Sequence, residues 1–339
     1  MFRDFLSNAP ESKSPRNRLI FWTSILLAGL FLFLALRGVD WAAFMSALRE
    51  ANYFYIPVIF LWGSLTSWFR AKRWNILLSA GKQVVTTKVF WANMVGYLGN
   101  IILPARAGEL VRAAYLGKEN DIPVSFVLAT GLVERFMDLI ALVILGSTSL
   151  ALSGIVSAQL ETALKLMTVV AFAGLIGILS VPYIGNKLII SMPSLPGVQP
   201  SAKEKVYEFL KQFLHGVEAL HHPSRASMFI LFTCLIWVMD GVGVVIIAKT
   251  VHMNISMLQS FILLASLGLS SAIPSTPGYV GVYQFVAVVV LSPFEIPKLS
   301  ALILIVFLQA MNFLTIITWG WAGIARASTF LGKKRVTVS

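Results

Sequence analysis

Leu103-Pro104-Ala105-Arg106-Ala107-Gly108 and Ile273-Pro274-Ser275-Thr276-Pro277-Gly278 break an otherwise apolar chain at two places 170 positions apart. Each break lies between half-length apolar stretches rich in small residues. Proline removes a backbone donor and glycine frees φ, so each element interrupts an apolar helix at about mid-membrane depth. Backbone freed in this way cannot face lipid, and must line a protein-enclosed or watery cavity. Paired breaks at corresponding places in two halves are the sequence mark of a transporter-like binding site. Pro104, Gly108, Pro274, Pro277, Gly278 and Gly281 are therefore the residues expected to shape the breaks.

Composition sets the surroundings of these elements. Of 339 residues, 57% are hydrophobic and 12% charged, and the mean hydropathy is +0.80. A soluble domain carries roughly twice that share of charge. Several runs reach the ~20 residues that cross a bilayer. The chain reads as an all-α polytopic membrane protein. Its net charge of +12 comes from basic residues in loops beside apolar spans, which meet anionic headgroups rather than nucleic acid. The single cysteine, Cys234, sits inside an apolar run and excludes an intrachain disulfide. The first apolar run lacks a small-residue cleavage site and reads as a signal-anchor.

Spans are expected at Leu19–Leu36, Phe54–Phe69, Pro123–Leu152, Ala163–Tyr183, Ala226–Ala248 and Leu299–Ile324, with broken elements at Val89–Leu116 and Met257–Leu291. A cytoplasmic helix, Ala202–Leu220, places Val206, Phe209, Leu210, Phe213, Val217 and Leu220 on one face, as a helix at the membrane surface does. If both broken elements are re-entrant hairpins, 21 of the 27 basic residues fall on one side, with Arg70 and Arg73 counted in a loop and Arg112 beside them. The other side keeps Arg37, Arg49, Lys165, Lys249 and Lys298. The positive-inside rule then puts both termini in the cytoplasm. The expected architecture is six transmembrane helices plus two opposed re-entrant hairpins. Residues 1–18 form a cytoplasmic tail, 19–326 the membrane domain and 327–339 a basic cytoplasmic tail. Repeat one, about 53–152, and repeat two, about 225–324, have inverted topology. The same offset of 170 pairs Arg70 with Asp240.

The ionisable residues within this region are the candidate site. Glu134 and Asp138 are i,i+4 on one helical face, and Arg135 and Asp138 are i,i+3. Charges within a span are costly and face a bundle interior or a wet cavity. In the first hairpin, Arg106, Glu109 and Arg112 follow at i,i+3 steps. Arginine's planar fork suits phosphate oxygens. Headgroup binding is thus expected of Arg106, Glu109, Arg112 and Arg135, and an intramembrane charge network of Arg70, Glu134, Asp138 and Asp240. Asp240 stands alone in its span and needs Arg70, Arg135 or a proton. The second hairpin has hydroxyls and glycines but no charge, as a gate would. His215, His221, His222 and His252 complete no metal-ligand spacing, and neither metal nor cofactor is expected.

The run Gly96-Tyr-Leu-Gly-Asn-Ile-Ile-Leu-Pro-Ala-Arg-Ala-Gly-Glu-Leu-Val-Arg112 resembles the lysylphosphatidylglycerol synthase transmembrane region, or flippase-like, family. Glu134-Arg135-x-x-Asp138, Arg70-x-x-Arg73-Trp74 and Pro274-x-x-Pro277-Gly278-x-x-Gly281 also resemble that family's landmarks, in order, over about residues 15–330. The resemblance implies a multi-pass protein of a prokaryotic cytoplasmic membrane that handles polar lipids. It does not extend to the soluble aminoacyl-transferase domain of fused members, since the chain stops at Ser339. The expected activity is a flippase or lipid-handling transporter for a phospho- or glycolipid, without enzymatic function. The expected partners are lipids with anionic or phosphate-bearing headgroups and an envelope-lipid biosynthetic enzyme. The competing readings are a membrane-embedded transferase on a lipid-linked donor, with Glu109 and Glu134 as its carboxylates, and a scaffold for an envelope-lipid enzyme.

Overall fold

The computed structural model describes residues 26–27, 29–103, 107–154, 169, 173, 176, 200–271 and 277–336. The N-terminal tail, the expected span at 163–183 apart from residues 169, 173 and 176, Pro104, Arg106 and Pro274 lie outside the described residues. The described chain is α-helical with no strand. Two helices, α1 (Gly29–Leu36) and α2 (Trp41–Glu50), meet at 86°. The corner forms because Gly38 takes φ +74° and Asp40 caps α2 by accepting from the Ala42 and Ala43 amides.

The rest is two runs of four helices. The first run is α3 (Tyr55–Leu78), α4 (Thr86–Ile102), α5 (Gly108–Asn120) and α6 (Val124–Leu152). A surface helix, α7 (Pro200–Glu218), precedes the second run. That run is α8 (Pro223–Thr250), α9 (Met257–Ser270), α10 (Val282–Leu291) and α11 (Lys298–Val336). By length and composition α8 and the Lys298–Ala327 part of α11 are able to cross a membrane, and the bent α1–α2 pair supplies a third candidate. Helices α3 and α6 have similar length but hold charges in the protein interior. Exposed Leu61, Ile230 and Leu231 form part of the outer apolar surface, where lipid replaces water as solvent.

Both breaks produce antiparallel helical hairpins. In α4–α5 the backbones nearly touch: a Cβ on Gly108 would stand 2.0 Å from the Gly96 carbonyl oxygen. Glycine is required there for close approach. The two ends of this hairpin lie together, since Lys88 Nζ donates to Asn120 Oδ1 at 2.9 Å. The α9–α10 hairpin starts on a capping box, Ser256 with Gln259. Its turn passes through Gly278 at φ +74° and Gly281 at φ +93°.

Helix α11 fixes how the hairpins are arranged. Leu98 packs on Gly320, and Val95 and Trp91 on Gly323, so α4 runs from the C-terminal end of α11 toward its middle. The base of the second hairpin, Ile255 and Leu291, shares a core with Ala301, Leu304 and Ile305 near the start of α11. Its turn reaches Phe313, which packs on Gly278. The hairpins therefore approach from opposite ends of α11, and their turns meet near its middle.

Two expectations need correction. The second apolar segment does not end at Phe69: α3 continues to Leu78 and carries Arg70 and Arg73 into the protein, Arg73 at 0% exposure. Opposite charges on another helix make that burial tolerable. The apolar face of α7 also meets protein. Gly216 packs on Thr130, His215 on Phe126 and Phe213 on Phe136, and Val217 is buried.

Candidate functional site: a closed ring of charges

Helix periodicity places Glu134 and Asp138 on the face of α6 that meets α3 and α5, and both are buried. Arg73 comes down from α3. Its Nη1 donates to Asp138 Oδ1 at 2.6 Å and its Nη2 to Asp138 Oδ2 at 2.9 Å, a bidentate pair. The same Nη2 reaches Glu134 Oε1 at 3.1 Å. The other oxygen of Glu134 accepts from Arg112 Nη1 at 3.1 Å. Arg112 Nε pairs with Glu109 Oε2 at 2.6 Å. Glu109 Oε1 pairs with Arg135 at 3.1 Å, and Arg135 closes onto Asp138 Oδ2 at 3.8 Å. Three arginines and three carboxylates thus alternate in a closed, formally neutral ring contributed by α3, α5 and α6.

The walls of the ring explain its position. Arg112 lies 4.4 Å over the Trp74 ring and donates to Asn93 Oδ1 at 3.1 Å. Gly131 leaves room for it, since a Cβ there would stand 2.7 Å from Arg112 Nη2. Trp74 is anchored through Nε1 to Thr130 Oγ1 at 3.2 Å. Arg135 leaves the ring toward Tyr97. Its side chain is 36% exposed, against 0% for Arg73 and 2% for Arg112. Three donors in or beside the ring, Arg73 Nε, Arg112 Nη2 and Asn93 Nδ2, are buried without a hydrogen-bond partner.

Of the residues anticipated from sequence, Glu109, Arg112, Glu134, Arg135 and Asp138 are brought together. Arg70 and Asp240 form a separate ion pair between α3 and α8, with Arg70 also over the Trp237 ring. Arg70 is thus the cation that Asp240 requires. Arg112 is held inside the ring and is buried. Arg73 takes the central place the sequence reading left unassigned; its signal was the i,i+3 step from Arg70 beside Trp74. Gly108, Gly278 and Gly281 shape the hairpins. The turn of the second hairpin depends on two residues not anticipated. Gln284 accepts from the Gly281 amide at 2.7 Å and donates to Gln309 at 2.5 Å, and Gln309 donates to the Gly278 carbonyl at 3.0 Å. The freed backbone is satisfied by side chains, as burial demands.

Two opposed broken helices, an outer apolar surface and a buried ring of charge within the first run define an integral membrane protein built from α-helices. The family model for the lysylphosphatidylglycerol synthase TM region matches residues 21–320, and the chain belongs to that family. It is similar to the UPF0104 membrane protein MJ1078 of Methanocaldococcus jannaschii, 22% identical over 65% of this chain and 90% of that protein. It is also similar to the glycosyltransferase AglD of Haloferax volcanii, 26% identical over 57% of this chain but 36% of that protein. The chain spans about a third of this second relative. No solved structure matches.

Proposed function

We propose that this protein is a lipid transporter that moves a phosphate-bearing polar lipid across a prokaryotic cytoplasmic membrane. Both termini are cytoplasmic, both hairpins are re-entrant, and the protein itself makes or breaks no covalent bond. The observation that carries this reading is the closed ring with Arg135 as its exposed member. Its longest link joins Arg135 to Asp138 at 3.8 Å, so Arg135 is the arginine most easily released to a phosphate. The unpaired donors Arg112 Nη2 and Asn93 Nδ2 offer further bonds to phosphate oxygens. When the headgroup leaves, Glu109 and Asp138 recover Arg135, which restores the formally neutral ring. Acyl chains remain in lipid while the headgroup passes between the turns of the opposed hairpins.

Headgroup translocation in reconstituted vesicles tests the proposal. Arg135→Ala is expected to abolish transport while leaving the protein folded. Full transport by that variant overturns the site assignment. The partial likeness to a glycosyltransferase favours a second reading, in which the membrane region serves an enzyme acting on a lipid-linked donor. Product formation from a labelled lipid donor by the purified protein would decide for catalysis.

A further inference from the structure

The Arg70–Asp240 pair lies beside the ring and is built differently. Each carboxylate of the ring meets two arginines: Glu109 meets Arg112 and Arg135, Glu134 meets Arg73 and Arg112, and Asp138 meets Arg73 and Arg135. Asp240, on α8, ion-pairs with Arg70 alone among the described residues. Both side chains of this pair are 20% exposed, against 1% for Glu134 and 9% for Asp138. Asp240 is therefore the carboxylate that loses its whole counter-charge when one arginine moves. An aspartate left so within an apolar helix takes up a proton.

The surroundings of the pair fix where Arg70 is able to go. Arg70 stands one helical turn before Arg73 on α3, and Asp138 is the next carboxylate whose charge it feels. The charges that act on Asp240 are Arg70 and Arg73 from α3 and Asp138 from α6. Tyr97 of α4 stands beside Arg70. Of the other elements packed against α8, α9 carries no ionisable side chain, and α11 carries none between Lys298 and Arg326. His221, in the turn before α8, is about five helical turns from Asp240. On α8 itself Arg225, Cys234 and Lys249 each lie more than one turn away.

Charge counting links this pair to the ring. While Arg135 is on a headgroup phosphate, Arg73 and Arg112 face Glu109, Glu134 and Asp138, and the ring holds an excess negative charge. Arg70 is the cation at hand to balance it, by turning from Asp240 to Asp138. We propose that Asp240 is a proton-binding site, and that one proton is taken up with each phosphodiester headgroup the ring binds. The proposal rests on the transport reading above. The proton passes from water at the partly exposed pair to an Asp240 carboxylate oxygen, and the O–H bond is the only bond made. The loaded protein is then neutral, with phosphate against Arg135, Arg70 against Asp138, and Asp240 as the acid. Release of the headgroup returns Arg135 to the ring and Arg70 to Asp240, which gives its proton back to water.

The test uses the full chain in sealed phosphatidylcholine vesicles that contain labelled phosphatidylglycerol. With the pH equal on both sides, passage of the label reports on the transport reading alone. A gradient of one pH unit should then accumulate the label up to about tenfold in the leaflet facing the alkaline side, because one proton accompanies each lipid. A membrane potential without a pH gradient should not move it, since the loaded protein carries no net charge. Asp240→Asn keeps position 240 neutral throughout, so the label should cease to follow the pH gradient and should follow the potential instead. A second measurement needs no variant. In weakly buffered detergent, binding of phosphatidylglycerol to the wild-type protein should withdraw about one proton per lipid from solution. Label that crosses at equal pH but ignores the gradient, or gathers on the acidic side, overturns the coupling and leaves the transport reading standing. Binding without proton uptake overturns the coupling as well. No passage of label at equal pH removes both.

Discussion

Glu134 is the keystone of the charge ring because each of its oxygens holds a different arginine, Arg73 and Arg112. Glu134→Gln leaves two buried guanidinium groups short of a counter-charge, and breaking a buried pair costs about 3–5 kcal/mol. Thermal unfolding in detergent should show a large loss of stability, and greater loss than for Arg135→Ala, whose side chain is 36% exposed. Arg73→Lys keeps the charge but loses the two-pronged contact to Asp138. It should therefore be destabilised as well, which the same melts will read. The carboxylates of this ring were legible in the sequence, because Glu134 and Asp138 show helical spacing within an apolar run. Arg73 was not, because it stands beside Arg70 and Lys72 and reads as one of a basic loop. Its true environment is set by α6, more than 60 positions later, and no local pattern announces such a partner.

The two hairpins show what proline and glycine reveal at the level of elements, and what they leave hidden. The breaks were readable because they interrupt apolar helices. The means of holding them differ and were not readable. The first hairpin closes by contact of helix backbones at Gly96, Gly99 and Gly108. Gly108→Ala would drive a Cβ into the Gly96 carbonyl and the Asn100 amide nitrogen, backbone atoms that no side-chain shift relieves. Its cost should exceed ~4 kcal/mol, the range of exceptional substitutions, seen as loss of the folded fraction in size-exclusion and melting experiments. The second hairpin closes by the Gln284–Gln309–Gly278 chain of hydrogen bonds. Gly278→Ala adds about 1–2 kcal/mol for the left-handed backbone and a contact of 2.7 Å with Phe313. The Phe313 ring is able to shift, so this variant should remain folded with a lowered melting temperature.

Across the whole molecule, α3, α4, α5 and α6 correspond in order to α8, α9, α10 and α11 at an offset of 170. Contacts between the two runs obey the same relation. Arg70 pairs with Asp240, 170 positions away, so each residue meets its own counterpart, as happens only beside a two-fold axis. Trp62 donates to the Met239 carbonyl at 2.7 Å, and the counterparts of these two residues, Phe232 and Phe69, pack with ring centroids 5.9 Å apart. An axis relating the halves must lie across α11 rather than along it, because the hairpins approach α11 from opposite ends. In a membrane this means opposite faces. Gln83 precedes the first hairpin and Asn254 the second, and both are exposed. With Cys234 replaced by serine, single cysteines at these two positions should react with a membrane-impermeant maleimide from opposite sides of sealed vesicles. Position 83 should be protected in right-side-out vesicles and position 254 labelled if the proposed orientation holds, in which Lys72, Lys82 and Lys88 mark the cytoplasmic face. Labelling of both positions from one side would remove the inversion, and with it the passage of a headgroup between opposed turns.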